Sequence, residues 1–183
     1  MLEVRIEEVI AATPMQIWEV LADHEGMHRW ANVARSVRTR PGYSEPNGVG
    51  AIRQLTARGH LMEERIRTFV PGERLGYDVL KGAPGWVARG DIELLPVDDK
   101  TTLLTWRVTL HPYLRITRWL VKTVLGRSLT GAVKCLKERV ESVPMFAWDA
   151  QAKTTSPETD APKMTGRTLV TVARPREDVL QAG

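Results

Sequence analysis

Residues 24–28 of the chain read HEGMH, which has the residue types and spacing of a zinc-protease motif. In that motif two histidines one helical turn apart hold the zinc, and the glutamate acts as general base. The mechanism needs an unbroken helix and a third ligand, but Gly26 interrupts the segment and the nearby acidic residue, Glu45, falls in a loop rich in proline and glycine. We therefore expect no metal here, and two histidines, His24 and His28, that face solvent.

A second group of chemically capable residues lies in the segment 50–79. If Arg58-Gly59 forms a two-residue hairpin loop, Arg53 lies directly opposite Glu64, and His60 shares their face. A buried ion pair costs desolvation energy, so Arg53 and Glu64 either anchor a ligand carbonyl or hydroxyl or form a structural pair. His60 is a candidate general base or a residue at the rim in contact with solvent. This face also carries the apolar residues Ala51, Leu55, Met62 and Ile66.

Continued alternation through the following strands extends the inner face and makes it aromatic. Three aromatic residues on it, Tyr77, Trp86 and Trp106, could stack on a flat ligand or simply pack in the core. With Arg53, Met62 and Glu64 they form the predicted ligand-binding set. The predicted inner face comprises Thr68, Val70, Leu75, Tyr77, Val79, Trp86, Ala88, Gly90, Ile92, Leu94, Leu104, Trp106 and Val108. Such a mixed face is suited to lining a cavity, provided that a helix covers it.

The elements that must position these residues follow from the pattern of the chain. Residues 4–11 alternate as a strand, and Thr13-Pro14 begins a short helix that ends near Asp23, before a further turn that carries Trp30. Residues 33–110 read as short strands separated by turn sequences, which predicts an antiparallel meander. An apolar stripe at intervals of three and four predicts a long helix over 113–143. The stripe comprises Leu114, Val121, Leu125, Leu129, Ala132, Leu136, Val140 and Val143.

Composition limits the class of protein. The chain of 183 residues is long enough for one domain, which we place at 1–143, and a flexible tail at 144–183. The single cysteine, Cys135, excludes an internal disulfide, and the absence of a signal peptide or a long apolar run predicts a cytoplasmic protein. The sequence leaves the oligomeric state open, and it contains no cofactor motif or catalytic triad, so no cofactor is expected.

The net charge of +4 is concentrated in one segment. Residues 113–143 contain seven Lys/Arg and two Glu, a local charge of +5. Nucleic acid is not the expected partner, because the aromatic residues lie on the inner face of the sheet and not among the basic residues. A second apolar row in the first half of this helix, Ile116, Leu120 and Val124, suits contact with an anionic membrane surface, the tail or a partner protein.

The order of strand, short helices, meander and long helix resembles the START-like (SRPBCC) superfamily, and within it the polyketide cyclase/dehydrase and lipid-transport group. The segments that carry the resemblance are TPMQIWEVLADHEGMHRW, GAIRQLTARGHLMEERIRTFVPGERLGYDV and GDIELLPVDDKTTLLTWRVTLHP. The resemblance implies an α+β helix-grip fold over residues 3–143, with a curved antiparallel sheet wrapped around the long C-terminal helix and a cavity between them.

Three functions are compatible with that resemblance. The first is binding of a hydrophobic small molecule, such as a lipid, polyketide or isoprenoid-like compound, in the cavity. The second is a cyclase or dehydratase in which Arg53 polarises a carbonyl and Glu64 or His60 moves a proton. The third is a protein-interaction role, as in the chaperone-activator branch of the superfamily. Since one fold hosts many functions, the site must distinguish them.

Overall fold

The computed structural model describes residues 1–57, 59–82, 86–112 and 118–143. Its helical elements are α1 (Pro14–Ala22), a 3₁₀ turn (Gly26–Arg29) and α2 (Arg118–Glu141). Its strands are β1 (Leu2–Ile10), β2 (Arg35–Arg40), β3 (Ile52–Ala57), β4 (His60–Val70), β5 (Arg74–Lys81), β6 (Trp86–Asp98) and β7 (Thr101–Pro112).

The seven strands form one antiparallel sheet in the order β1-β7-β6-β5-β4-β3-β2. The sheet is curved and does not close into a barrel, so β1 and β2 are its two edges. Helix α2 packs against β1 and covers the inner face, while α1 and the 3₁₀ turn close one end. This is the helix-grip arrangement that the resemblance implied.

Helix α1 begins where the sequence predicts, because Thr13 and Gln16 form a capping box. The Thr13 backbone N–H donates to Gln16 Oε1 over 2.9 Å, and the Gln16 backbone N–H donates to Thr13 Oγ1 over 3.4 Å. Pro14 occupies the first turn, where its missing N–H costs nothing. The helix buries Ile17, Trp18 and Leu21 against the sheet.

The register of the β3–β4 hairpin is the predicted one. Arg53 pairs with Glu64, Leu55 with Met62 and Ala57 with His60. Gly59 has φ +80, a conformation that favours glycine and allows the tight turn. Arg53, at 2% exposure, and Glu64, at 3%, are therefore both buried on the inner face, as expected.

The predicted inner face is wrong at Thr68 and Val70, because β4 contains a register shift. Ile66 pairs with Tyr77, but Thr68 pairs with Gly76, so Arg67 is an extra residue on its strand. A bulge of this kind inverts the alternation of the residues that follow it. Val70 is consequently exposed, and Phe69 takes the inner position, with its ring centroid 4.7 Å from that of Trp18.

Helix α2 carries the predicted apolar stripe. Leu129, Ala132, Leu136 and Val140 are buried, together with Val133, which the stripe omitted. Two polar residues fix the helix to the first strand: Lys137 Nζ donates to Glu8 Oε1 (2.6 Å) and to the Val9 carbonyl (2.8 Å), and Glu141 Oε1 accepts from the Ala11 N–H (2.9 Å). Residues 113–117, the start of the predicted helix, and the predicted tail 144–183 lie outside the described residues.

Candidate functional site

A cavity of about 270 Å³ lies between the inner face of the sheet and α2. Most of its wall is apolar, with Leu55 and Met62 on the sheet side and Val121 and Leu125 on the helix side. Among the described residues, four with polar side-chain ends interrupt this wall: Asn32, Glu64, Tyr77 and Ser128. A mainly apolar cavity with a few polar groups is the usual form of a small-molecule site.

Glu64 brings a charged group to the cavity wall. Arg53 Nε donates to Glu64 Oε2 over 2.8 Å, and Arg53 Nη2 lies 2.7 Å from the same oxygen as an ion-pair contact. The guanidinium lies behind Glu64 and over the ring of Tyr77, with Cζ 5.4 Å from the ring centroid. Arg53 therefore holds Glu64 in place but does not itself line the cavity.

Tyr77 is fixed by its neighbour on the inner face, Trp106. The Trp106 indole Nε1–H donates to Tyr77 Oη over 3.2 Å, and both side chains line the cavity. Burial, reinforced by the charge of Glu64, raises the pKa of the Tyr77 phenol well above its ordinary value. The phenol is therefore neutral and keeps its proton as a hydrogen-bond donor.

The structure brings together part of the predicted site. Met62, Glu64, Tyr77 and Trp106 line the cavity, whereas Arg53 lies behind it. His60 is exposed beside the hairpin turn and is not part of the cavity wall. The side chain of Trp86 lies outside the described residues.

Two lining residues, Asn32 and Ser128, were not identified from the sequence. Ser128 follows Leu125 by three residues on α2, so its place on the apolar face could have been read from the helical spacing. Asn32 has φ 55, a left-handed conformation that asparagine tolerates better than most residues. No spacing in the sequence indicates where that loop turns, so this position could not be predicted.

The prediction that both histidines of the HEGMH segment face solvent is wrong for His24. The Asp23 carboxylate accepts a hydrogen bond from the Gly26 N–H (2.9 Å), which turns the chain after α1 and directs the His24 ring inward. A Cβ at position 26 would lie 1.9 Å from Asp23 Oδ2, so a larger residue there would displace this carboxylate from the turn.

His24 and His28 have different surroundings. The His24 ring is fully buried, edge-on to Phe69, and neither of its nitrogens has a hydrogen-bond partner among the described residues. Burial, with smaller contributions from Arg53 and Arg38, lowers its pKa to about 2. His28 is exposed and its Nδ1 bonds the Glu25 carbonyl. Across the described ranges no three His, Cys, Asp or Glu side chains converge as metal ligands.

The fold and cavity define a helix-grip protein of START type, and comparison with known proteins agrees. Residues 1–143 match the family model described as polyketide cyclase/dehydrase and lipid transport, and the chain belongs to that family. A search of curated proteins found no match to this sequence.

Solved structures share the fold at low sequence identity. A START superfamily protein from Mycobacterium smegmatis superposes with a TM-score of 0.68 at 17% identity, covering 78% of this chain and 99% of its own. A protein from Thermobifida fusca gives 0.66 at 23% identity, with 76% and 93% covered. The protein XoxI from Bacillus cereus gives 0.64 at 16% identity, with 78% and 97% covered. In the described part of the chain, no helix is both long and apolar enough to cross a membrane.

Proposed function

We propose that this protein binds a small, mainly apolar molecule in the cavity between the sheet and α2. The observation that carries the proposal is the cavity itself, because protein interiors are otherwise packed with few voids larger than a water molecule. Its volume of about 270 Å³ lies just below the range of roughly 300–1,000 Å³ that holds drug-sized ligands. The ligand is therefore a compact molecule, and membership of a family that includes lipid-transport proteins agrees with an apolar one.

A cyclase or dehydratase reaction is the alternative, and the geometry supports it less well. Of the three candidate catalytic residues, only Glu64 lines the cavity. Arg53 directs Nε and Nη2 to Glu64 Oε2, so these donors do not reach a ligand carbonyl. His60 is exposed beside the hairpin turn. A proton transfer would therefore depend on Glu64 alone, which supports binding as the primary function.

Native mass spectrometry of the full chain tests the binding proposal. We expect one co-purified apolar molecule per chain, released when the protein is denatured. Ala88→Leu, which adds bulk to the cavity wall, is expected to abolish the adduct while circular dichroism shows a folded protein. Leu95→Ala, on an exposed position of β6, is the matched control and is expected to retain it. Absence of any adduct, together with failure of wild-type protein to bind added apolar probes, would overturn the proposal.

We also propose that the first turns of α2 contact an anionic membrane surface. Trp119 is 76% exposed, Leu120 56% and Val124 50%, so this helix presents apolar side chains to solvent. Basic residues flank them, among them Lys122 and Arg127. An apolar row bordered by positive charge is typical of helices that lie in a lipid interface.

The same turns of α2 also contribute to the cavity. Val121 and Leu125 line it, while their neighbours Leu120 and Val124 face solvent. A lipid surface on the outer side of this helix would therefore be separated from the cavity by α2 alone. This proximity supports uptake of an apolar ligand from a membrane.

A further inference from the structure

Two buried residues of the cavity wall, Glu64 and Tyr77, each have one polar group without a hydrogen-bond partner in the described part of the protein. The acceptor is Glu64 Oε1, because the hydrogen bond and the ion-pair contact from Arg53 are both to Oε2. The donor is the Tyr77 O–H, because Trp106 donates to its oxygen and leaves the hydroxyl hydrogen unused. A ligand that fills the cavity displaces water from these two groups, and a polar group left unpaired in an apolar site is costly, so the two groups favour a ligand with a polar group of its own.

The two residues are neighbours on the inner face, as one ligand group that bridges them would require. Glu64 pairs with Val79 and Tyr77 pairs with Ile66, so Glu64 and Tyr77 occupy diagonal positions on neighbouring strands and the same face. Diagonal residues of this kind have backbones about 7–8 Å apart, within reach of long side chains. Both side chains line the cavity.

Resting on the proposed binding function, we propose that the ligand carries a hydroxyl group that donates to Glu64 Oε1 and accepts from the Tyr77 O–H. A hydroxyl satisfies both groups with one atom. A carbonyl would pair with Tyr77 but leave the carboxylate oxygen of Glu64 unpaired. A ligand carboxylate would place a second negative charge beside Glu64, which is unfavourable in an apolar cavity. The ligand class is therefore a compact apolar alcohol or phenol.

Titration calorimetry of the full chain at neutral pH with naphthol and naphthalene tests this assignment. The two probes differ by one hydroxyl. We expect naphthol to bind about tenfold or more tightly than naphthalene, since it adds a hydrogen bond to an ionised group and a second one to a phenol. Naphthoate, which carries the excluded carboxylate, is expected to bind more weakly than naphthalene.

Variants test whether Glu64 and Tyr77 cause the preference for naphthol over naphthalene. Tyr77→Phe is expected to lower the affinity for naphthol several-fold and to leave naphthalene unchanged, because the benzyl ring remains. Tyr43→Phe, at a tyrosine that is 81% exposed, is the matched control and is expected to change neither affinity. Glu64→Gln is expected to reduce the preference for naphthol as well. If Glu64→Gln does not fold, the affinities of Tyr77→Phe for the two probes test the hydroxyl assignment on their own.

The outcomes separate this inference from the function on which it rests. If naphthalene binds as tightly as naphthol to wild-type protein, the hydroxyl assignment is overturned while the cavity remains a binding site. If Tyr77→Phe weakens both probes equally, Tyr77 has a packing role and the assignment is likewise overturned. If neither probe binds, both the binding function and the hydroxyl assignment fail.

Discussion

The ring of Tyr77 lies directly on Gly90 of the neighbouring strand. The two residues pair across β5 and β6, and a Cβ at position 90 would lie 2.1 Å from Tyr77 Cζ and 2.4 Å from its hydroxyl oxygen. Since Tyr77 is buried, its ring cannot swing into solvent to make room. The absence of a side chain at Gly90 therefore allows the Tyr77 ring to occupy this position in the cavity wall.

Gly90→Ala is expected to destabilise the protein by about 1–3 kcal/mol, the usual cost of overpacking a core. It should also displace the Tyr77 hydroxyl and weaken naphthol binding. Urea unfolding measures the first effect and calorimetry the second. Gly131→Ala is the matched control, because nothing lies within 4 Å of a Cβ there. That change should be neutral or stabilise α2 by up to about 1 kcal/mol. Equal stability of the two variants would contradict the close contact.

Removal of one member of the Arg53–Glu64 pair should cost more than removal of both. Arg53→Met leaves a buried carboxylate without its partner, and Glu64→Leu leaves a buried guanidinium, so each single change is expected to cost about 3–5 kcal/mol. The double variant should lie close to wild type in stability, because two apolar side chains replace the pair. Chemical denaturation of the four proteins gives the coupling energy. Additive single effects would show that the pair is not coupled.

The double variant also separates the two roles that the sequence left open for this pair. If Glu64 binds a ligand, the folded double variant loses the preference for naphthol over naphthalene. If the pair is structural, the double variant keeps that preference. Calorimetry with the same two probes distinguishes these results.

Buried His24 should make the stability depend on pH. Its pKa is lowered to about 2 in the folded protein and is about 6.5 in the unfolded chain. Between these values the unfolded chain binds the extra proton, so this contribution to stability is complete above pH 6.5. It falls by up to about 1.4 kcal/mol per pH unit below that value.

His24→Leu removes this dependence. The free energy of unfolding of the variant, relative to wild type, should therefore rise as the pH falls from 7 to about 5, as measured by urea denaturation. His28→Leu, at the exposed histidine of the same segment, is the control for loss of a histidine. Identical pH profiles for the two variants would contradict a role for His24.

Membrane contact through α2 should need both its exposed apolar side chains, Trp119, Leu120 and Val124, and its positively charged side chains. We expect the protein to co-sediment with vesicles of phosphatidylcholine and phosphatidylserine, and far less with phosphatidylcholine alone. Trp119→Ser should weaken binding strongly, and Lys122→Gln or Arg127→Gln by about fivefold each, since one basic residue near the surface contributes about 1 kcal/mol. Leu95→Ser, at another exposed leucine, is the control. If the protein instead dimerises and Trp119→Ser abolishes the dimer, these exposed side chains contact a second copy of the chain and not a membrane.

The sequence predicted the part of the site that local rules determine. The pairing of Arg53 with Glu64 follows from a two-residue turn and a period of two, and both are read within a dozen residues of chain. The sheet-facing stripe of α2 follows from helical spacing in the same way. These features needed no knowledge of the tertiary structure.

The wrong predictions fall where one backbone irregularity, a bulge or a turn, changes the direction of the side chains that follow it. The bulge at Arg67 exposed Val70 and turned the partly buried Phe69 to the inner face, and no residue type in that strand marks it. The turn after α1, which depends on a hydrogen bond from Gly26 to Asp23, moved His24 from the surface to the interior. Such events are set by packing, so periodicity alone does not locate them.

The attachment of α2 to β1 has a consequence for association between chains. An edge strand with free backbone groups is a template on which another strand can add, and aggregation often starts there. Lys137 binds the Val9 carbonyl and Glu141 binds the Ala11 N–H, so the helix that covers the cavity also covers the end of this edge strand. Detachment of the helix would therefore expose the cavity and free backbone groups for aggregation in the same step.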